Sequence, residues 1–291
     1  MLGVVNLDKP VGPTSHDMVG MMRRLTGTRR IGHAGTLDPL ASGVLPILVG
    51  AATRFSEELT GGLKRYDAVI RLGARSATDD AEGPLEVTDG PLPDADAVRT
   101  ALSGFVGTFD QIPPAFSARK LGGRTAHRAA RAGDPLLLSP RRVTVHSLHL
   151  LALEPAGQLV DVRVDVRCGT GTYVRSLARD LGERLGCGGH LHALRRTEAA
   201  GLSVADAVTP ERLEALASEG RLAEAVLSVG DLLTLPRVRL DANGAAAFRH
   251  GSARALDGAG DGSVAVFENE NLIGIGSVAG GVLRPDKVLP A

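Results

Sequence analysis

Four short segments hold the residues best suited to chemistry. The first is Gly32-His33-Ala34-Gly35-Thr36-Leu37-Asp38-Pro39-Leu40-Ala41-Ser42-Gly43. It sets a histidine and a carboxylate five apart among three glycines and one proline, which marks a loop. Pro39 pushes Asp38 toward an extended backbone. The glycines let another backbone or a ligand approach closely. Asp38 therefore either organises a turn or presents a carboxylate to a ligand. The second segment, Gly169-Thr170-Gly171-Thr172-Tyr173-Val174-Arg175, leads from a strand into an amphipathic helix. It places Arg175 in the first helical turn, where the dipole disfavours a cation. Either a fixed anion offsets that placement, or a surface arginine tolerates it. The third, Lys64-Arg65-Tyr66, opens a strand and holds one of only two tyrosines. Tyr66 is either a functional phenol or a core aromatic with a solvated hydroxyl. The fourth runs from Gly186 to Arg196. Its Cys187, His190 and His192 have zinc-ligand chemistry, but no fourth ligand has matching spacing. The pair Arg195 and Arg196 suits a phosphate contact.

The pattern around these segments predicts the elements that hold them. Val4–Leu7 reads as a strand, and Ser15 as the N-cap of a helix reaching about Leu25. Val44–Val49 is a buried strand, and Tyr66–Leu72 alternates like a strand with one wet face. Residues 74–96 read as an exposed acidic loop. A helix follows over Ala95–Phe105, and a basic helix over 124–132. Val143–Leu153 and Leu159–Val166 are strands, and Val174–Leu185 traces one apolar helical face. Leu191–Thr197 is a strand and Pro210–Ala217 a helix. Near Leu235-Pro236 the texture turns Gly- and Ala-rich, which puts a domain boundary at about residue 233. Val264–Phe267 and Leu272–Ile275 then form a hairpin. The whole is mixed α and β, with antiparallel pairing favoured over βαβ units.

Composition narrows the function. The chain has 291 residues, 43% of them apolar and 23% charged, enough for a sizeable core. Its 33 basic and 33 acidic residues cancel, but they are unevenly placed. Arg119 to Arg142 holds seven basic residues and one acid, while Asp79 to Asp96 holds seven acids and no base. Such blocks give a neutral protein a basic face. No Trp and only two Tyr disfavour RNA-stacking sheets. There is no P-loop, no nucleophile elbow, and Gly274-Ile275-Gly276 falls short of a dinucleotide fingerprint. Two cysteines, Cys168 and Cys187, fit a cytosolic protein with free thiols. No signal peptide and no membrane-length apolar run is expected.

Taken in order, the segments resemble the TruB family of tRNA pseudouridine synthases over nearly the whole chain. The matching motifs are Leu7-Asp8-Lys9-Pro10-x-Gly12-x-Thr14-Ser15, the loop from Gly32 to Leu45, and Lys64-x-Tyr66. They continue with Ile112-Pro113-Pro114-x-x-Ser117-Ala118-x-Lys120, Gly169 to Arg175, and Leu194-Arg195-Arg196. The resemblance implies an α+β fold: a mixed, mostly antiparallel central sheet with flanking helices, the pseudouridine synthase fold, over 1–233. Within it, 119–142 would be a basic RNA-clamping segment. Residues 234–291 would form a small β-rich, PUA-like RNA-binding domain.

The implied reaction is isomerisation of uridine 55 in the T loop of tRNA to pseudouridine, without cofactor or metal. The alternative is a tRNA-folding chaperone that does no chemistry. Asp38 matches the catalytic carboxylate, and Arg175 its partner, which would lower the carboxyl pKa by roughly 1 to 3. Tyr66 matches the active-site tyrosine, a candidate base for the C5 proton. Tyr173 and Leu194 match positions that hold the base, and Lys9 a lysine supporting the loop. His33 matches a residue that stacks in the opened RNA loop. Lys120, Arg124 and Arg195 would contact RNA. Ala126-His127 stands where the family usually has Ala-Tyr. A monomer in the cytoplasm is implied.

Overall fold

The computed structural model describes residues 1–117, 120–121, 123–256, 258 and 260–290, with the backbone alone for Lys120 and Leu121. Nine strands build the larger sheet. Its main path runs β1 (Gly3–Lys9), β3 (Ala41–Val49), β12 (Gly189–Ala199), β4 (Lys64–Leu72), β11 (Leu159–Cys168), β10 (Arg141–Ala156) and β7 (Gly107–Gln111). The short β2 (Ile31–His33) flanks β3, and β13 (Leu202–Ser203) flanks β12. Among the described residues, β3 with β12 is the one parallel pair of this sheet. The expected mixed, mostly antiparallel sheet is what forms.

The alternation read in β4 has a clear cause. Tyr66, Ala68, Ile70 and Leu72 are buried on one face. On the other, Asp67 and Asp165 stand directly opposed across β4 and β11. Each acid is neutralised by a diagonal arginine: Arg65 meets Asp165 at 2.8 Å, and Arg163 pairs with Asp67. Diagonal pairs thereby offset a like-charge clash and fix the register.

Helix α1 (Ser15–Thr26) starts at the residue expected as its cap, so the cap itself lies one residue earlier. Thr14 is the N-cap, because its hydroxyl accepts from the Asp17 amide at 3.1 Å while the Asp17 carboxylate accepts from the Thr14 amide at 2.8 Å. That reciprocal box satisfies two otherwise unpaired donors. Ser15 is thereby released for another task, described below. Alongside α1, helices α3 (Ala95–Ser103), α5 (Val174–Arg184) and α6 (Pro210–Ser218) contribute to the main core. The short α2 (Ser56–Thr60) precedes β4.

Residues 74–96 are not a plain exposed loop. They fold back as the hairpin β5 (Ala74–Ser76) and β6 (Leu85–Val87), and Asp80 between them is 1% exposed. The basic region holds β8 (Lys120–Leu121) paired with β9 (Arg124–Thr125), then α4 (Ala126–Arg131), shorter than the expected 124–132 helix.

After α7 (Val229–Leu232), a second sheet of five strands takes over. Its order is β14 (Arg237–Leu240), β16 (Gly262–Glu268), β17 (Asn271–Ala279), β18 (Val282–Val288) and β15 (Arg254–Ala255), with α8 (Ala242–Arg249) packed on it. The expected hairpin is β16 and β17. Phe248 of α8 anchors a small core with Val266, Ile273 and Leu283. The other side of this sheet packs Ala265, Phe267, Ile275 and Leu289 against Val4, Leu48 and Phe55 of the larger sheet's layer. The two sheets therefore meet through apolar contact. Among the described residues, no helix is long and apolar enough to cross a membrane.

Candidate active site

Three elements bring Asp38, Tyr66 and Arg175 together. Asp38 lies on the loop between β2 and β3, Tyr66 on β4, and Arg175 in the first turn of α5. All three line one cavity of about 300 Å³ with Leu37, Lys64, Ser117, Tyr173, Leu194 and Arg196. That is at the small end of ordinary ligand clefts, about 300 to 1,000 Å³. Asp38 and Arg175 also line an adjoining cavity of about 410 Å³ with Asp80, Glu82, His127 and Arg131. Ser117 borders both, and its hydroxyl is buried without a hydrogen-bond partner among the described residues.

The Asp38 loop is held by side chains that reach its backbone. The Ser15 hydroxyl donates to the Leu37 carbonyl at 2.9 Å and accepts from the Leu37 amide at 2.8 Å. The Gly12 amide donates to Pro39 O at 2.8 Å. Gly43 sits at φ 101°, and a β-carbon there would lie 2.2 Å from the Arg196 carbonyl oxygen. Only glycine permits β3 and β12 to approach this closely. The loop's glycine content thus has a packing reason as well as a turn reason.

Arg175 resolves the puzzle of a cation in a first helical turn. Its guanidinium meets Asp38 at 3.0 Å and Asp80 at 3.1 Å, and donates to Phe116 O at 2.9 Å. Two carboxylates offset the dipole. Arg175 pulls the Asp38 carboxyl down as expected, but the net shift is upward. Burial dominates and raises the Asp38 carboxyl above the ordinary aspartate value; Asp80's negative charge adds to this, while Arg175 and Lys9 pull the other way. Burial likewise raises the Tyr66 phenol, and the Arg196 cation beside it counteracts.

Tyr173 precedes α5 as its N-cap residue, and its backbone is clamped at both ends by the Gln111 amide side chain, at 2.9 and 3.1 Å. Leu194 lines the cavity from β12. The other expected site residues divide. His33 ends β2 and borders neither cavity; burial, then the Arg196 cation, hold its imidazole below the ordinary value. Lys9 is 0% exposed and spends its amine on Pro10 O and Pro13 O at 2.8 and 2.7 Å. It braces the turn beneath the loop and does not reach the cavity. Burial brings its amine to about 8. Arg195 turns away from the cavity to Asp8 at 2.7 Å. Arg196 is buried, so the expected arginine pair makes no joint phosphate site. Arg124, on β9, is exposed and meets Asp134 at 2.9 Å. The side chain of Lys120, like Arg119, lies outside the described residues.

In the histidine segment, His190 is buried with Nδ1 facing Ala74 O at 3.2 Å, and its ring centroid is 6.5 Å from that of His192. Among the described residues, no three His, Cys, Asp or Glu side chains are grouped to hold a metal ion.

Sequence reasoning missed Asp80, Gln111 and a second basic run. Asp80 was hidden inside an acidic stretch that looked solvated. Gln111 gave no signal beyond its place before Ile112-Pro113-Pro114. Arg23, Arg24, Arg29 and Arg30 are exposed around the end of α1 and the start of β2. Two Arg-Arg pairs six apart were the available sign.

The chain is similar to known proteins over nearly its whole length. The sequence profile described as "TruB family pseudouridylate synthase (N terminal domain)" matches residues 23–174. Two C-terminal profiles, "tRNA pseudouridylate synthase B C-terminal domain" and "Pseudouridine synthase II TruB, C-terminal", match 175–234 and 236–289. The tRNA pseudouridine synthase B of Ralstonia pickettii is 41% identical over 99% of this chain and 94% of its own length. Its counterpart in Burkholderia mallei is 42% identical over 99% of this chain and 96% of its own. Among solved structures, a Cbf5–Nop10–Gar1 complex contains a chain that superposes with a TM-score of 0.75 at 27% identity. That match covers 99% of this chain and 85% of the other. A chain of an H/ACA ribonucleoprotein bound to a substrate RNA containing 2′-deoxyuridine gives 0.74 at 26% identity, with coverage of 99% and 85%.

Proposed function

The chain belongs to the TruB family of pseudouridine synthases, and from that premise we propose that it isomerises uridine 55 in the T loop of tRNA to pseudouridine. The N-glycosidic bond breaks, the uracil turns in place, and C5 joins C1′ of the ribose. The observation that carries the reading is the Asp38–Arg175 pair, 3.0 Å apart on the wall of a cavity that also holds Tyr66.

Asp38 supplies the carboxylate. Attack on C1′, attack on C6 and removal of a C2′ proton all require it ionised. Arg175 holds its Oδ2, and Asp80 fixes Arg175 from behind. Tyr66, Tyr173 and Leu194 enclose the base, and the Tyr66 phenol, which burial keeps protonated, relays the C5 proton by passing its own to water as it accepts the new one. The target nucleotide must leave its stack to enter, at a cost of a few kcal/mol. His33 at the end of β2 fits the role of filling the vacated space.

The catalytic unit is residues 1–233, with 119–142 as the segment that clamps the T arm. Arg128 and Arg131 on α4 are exposed and, among the described residues, form no ion pair, which leaves them for phosphates. The run from Arg23 to Arg30 offers a second phosphate-binding surface. Residues 234–291 form a PUA-like module with a smaller share of RNA binding. Its Arg239, Arg249 and Arg254 are already paired with Glu270, Glu268 and Asp241 at 3.2, 2.6 and 3.0 Å. The protein acts as a monomer in the cytoplasm, where this substrate is matured.

The test is tritium release from a tRNA transcript labelled at C5 of uridine. Wild type releases tritium, while Asp38→Asn, or cytidine at position 55, abolishes release. Tight binding without release by wild type would leave the chaperone reading in its place.

A further inference from the structure

Arg196 is the bulkiest side chain to be fully buried, at 1% exposure. It lies on β12, opposite Gly43 of β3 and Tyr66 of β4. Its Nε donates to Val44 O at 2.7 Å and its Nη2 to Gly35 O at 2.9 Å, with Nη1 3.5 Å from Thr36 O. All three carbonyls belong to the segment that carries Asp38. Among the described residues no carboxylate lies within ion-pair distance of this guanidinium. An interior cation without a counter-charge is costly to keep, because carbonyl dipoles replace water only in part. Its neighbour Arg195 shows the inexpensive arrangement, half exposed and paired with Asp8 at 2.7 Å.

The surrounding sequence makes room for that cation. A β-carbon at Gly35, where φ is 84°, would stand 3.4 Å from Arg196 Nη1, and one at Gly43 would collide with the Arg196 backbone. Arg196 also sets the electrostatics of the cavity floor. Its charge opposes the burial-driven rise of the Tyr66 phenol and adds to the lowering of His33, Lys9 and Lys64.

We propose that Arg196 is a positioning residue for the isomerisation. One buried guanidinium grips the backbone of the Asp38 loop and faces the Tyr66 phenol across the β4–β12 ladder, so carboxylate and phenol keep a single relative placement. The proposal rests on the reading in which Asp38 and Tyr66 act on the uridine. It adds that they are coupled through a residue whose donors are directed at the backbone of the Asp38 loop. Arg196 acts through Tyr66 and the loop, so its loss affects the chemical step and spares tRNA affinity.

Two measurements on the full chain test this. The first is a double-mutant cycle of single-turnover tritium release with Arg196→Lys and Tyr66→Phe, with tRNA dissociation constants and thermal melting for each variant. The expected result is that Arg196→Lys slows release at least about tenfold in the wild-type background and much less in Tyr66→Phe, with tRNA affinity within about twofold. The second uses the absence of Trp and the presence of only two tyrosines. In Tyr173→Phe, ultraviolet absorbance follows the Tyr66 phenol alone. Adding Arg196→Gln raises the phenol pKa by roughly 1, and adding Arg196→Lys leaves it near its starting value. Equal slowing in both backgrounds together with an unmoved phenol titration overturns the proposal and leaves Arg196 as framework. A variant that fails to melt cooperatively is replaced in both measurements by the other of the pair. If wild type releases no tritium, the functional reading fails instead, and the phenol titration still decides whether Arg196 governs Tyr66.

Discussion

On the cavity floor, Arg175 and Arg196 are 6% and 1% exposed, and their donors are spent on carboxylates and carbonyls of the protein itself. On α4 and around the end of α1, Arg23, Arg24, Arg29, Arg128 and Arg131 are exposed and, among the described residues, form no ion pair. The same side chain serves opposite ends in the two regions. A buried guanidinium in a low dielectric fixes geometry and local charge, and its removal leaves costly unpaired partners. An exposed one waits for a phosphate, and its contribution is screened by salt. The floor should therefore govern rate and the rim affinity.

The largest effect tests the floor. Asp38→Asn should abolish turnover, more than about a thousandfold, while leaving tRNA affinity within about twofold, because it removes the proposed reacting group and no phosphate contact. Single-turnover release and filter binding read the two quantities separately. Next in size is Asp80→Asn. Losing a charged hydrogen-bond partner of Arg175 costs about 1.5 to 3 kcal/mol, or roughly 10- to 150-fold in rate. Its pH signature has a definite sign. The proposed reaction needs Asp38 ionised, and the Asp80 charge helps keep its pKa raised. The acid limb of the wild-type rate should lie above the ordinary carboxylate range, and Asp80→Asn should move it to lower pH. A limb that stays in place would break the link between Asp80 and Asp38.

A third prediction sharpens the floor side through stability. Lys9 is held at about 8, below its ordinary 10.5. Between those values the unfolded chain binds more protons than the folded one, so this group stabilises the fold as pH rises through that window. Lys9→Met should flatten that part of the stability profile, as followed by denaturant midpoints. The rim gives a smaller effect. Arg128→Ala with Arg131→Ala should weaken tRNA binding and reduce its salt slope by about 1 per lost phosphate contact, with the rate at saturating enzyme unchanged. Smallest of all is Arg254→Ala in the second sheet, which removes a solvent-screened pair with Asp241 and should leave tRNA affinity unchanged.

The floor and the rim were not equally legible from sequence. Strong periodicity gave β4 and α5, and a cation in the first turn of α5 pointed to an anion that turned out to be two. Residue types alone could not show that Asp80 points inward, because Glu82, Glu86 and Asp89 of the same acidic stretch do face water. Ser15 looked like a cap until the Thr14–Asp17 box took that role and freed its hydroxyl for the Leu37 backbone. Arg195 and Arg196 are adjacent and identical in type, yet alternation along β12 sends one to Asp8 and the other into the floor. Such long-range contacts between side chain and backbone, Arg196 to Gly35 or Gln111 to Tyr173, leave no periodic trace. Of the rim, the α4 arginines were legible as local charge density, whereas the run from Arg23 to Arg30, two pairs split by other residues, was not.

The most direct test of this division measures rate and affinity side by side for one change in each region. Arg175→Lys and the Arg128→Ala, Arg131→Ala double variant would be compared with wild type, using release at saturating enzyme and tRNA dissociation constants at two salt concentrations. The account predicts that Arg175→Lys loses rate and keeps affinity, whereas the double variant loses affinity at low salt and keeps the rate. Equal loss of both quantities in both variants, or the reverse assignment, would contradict it.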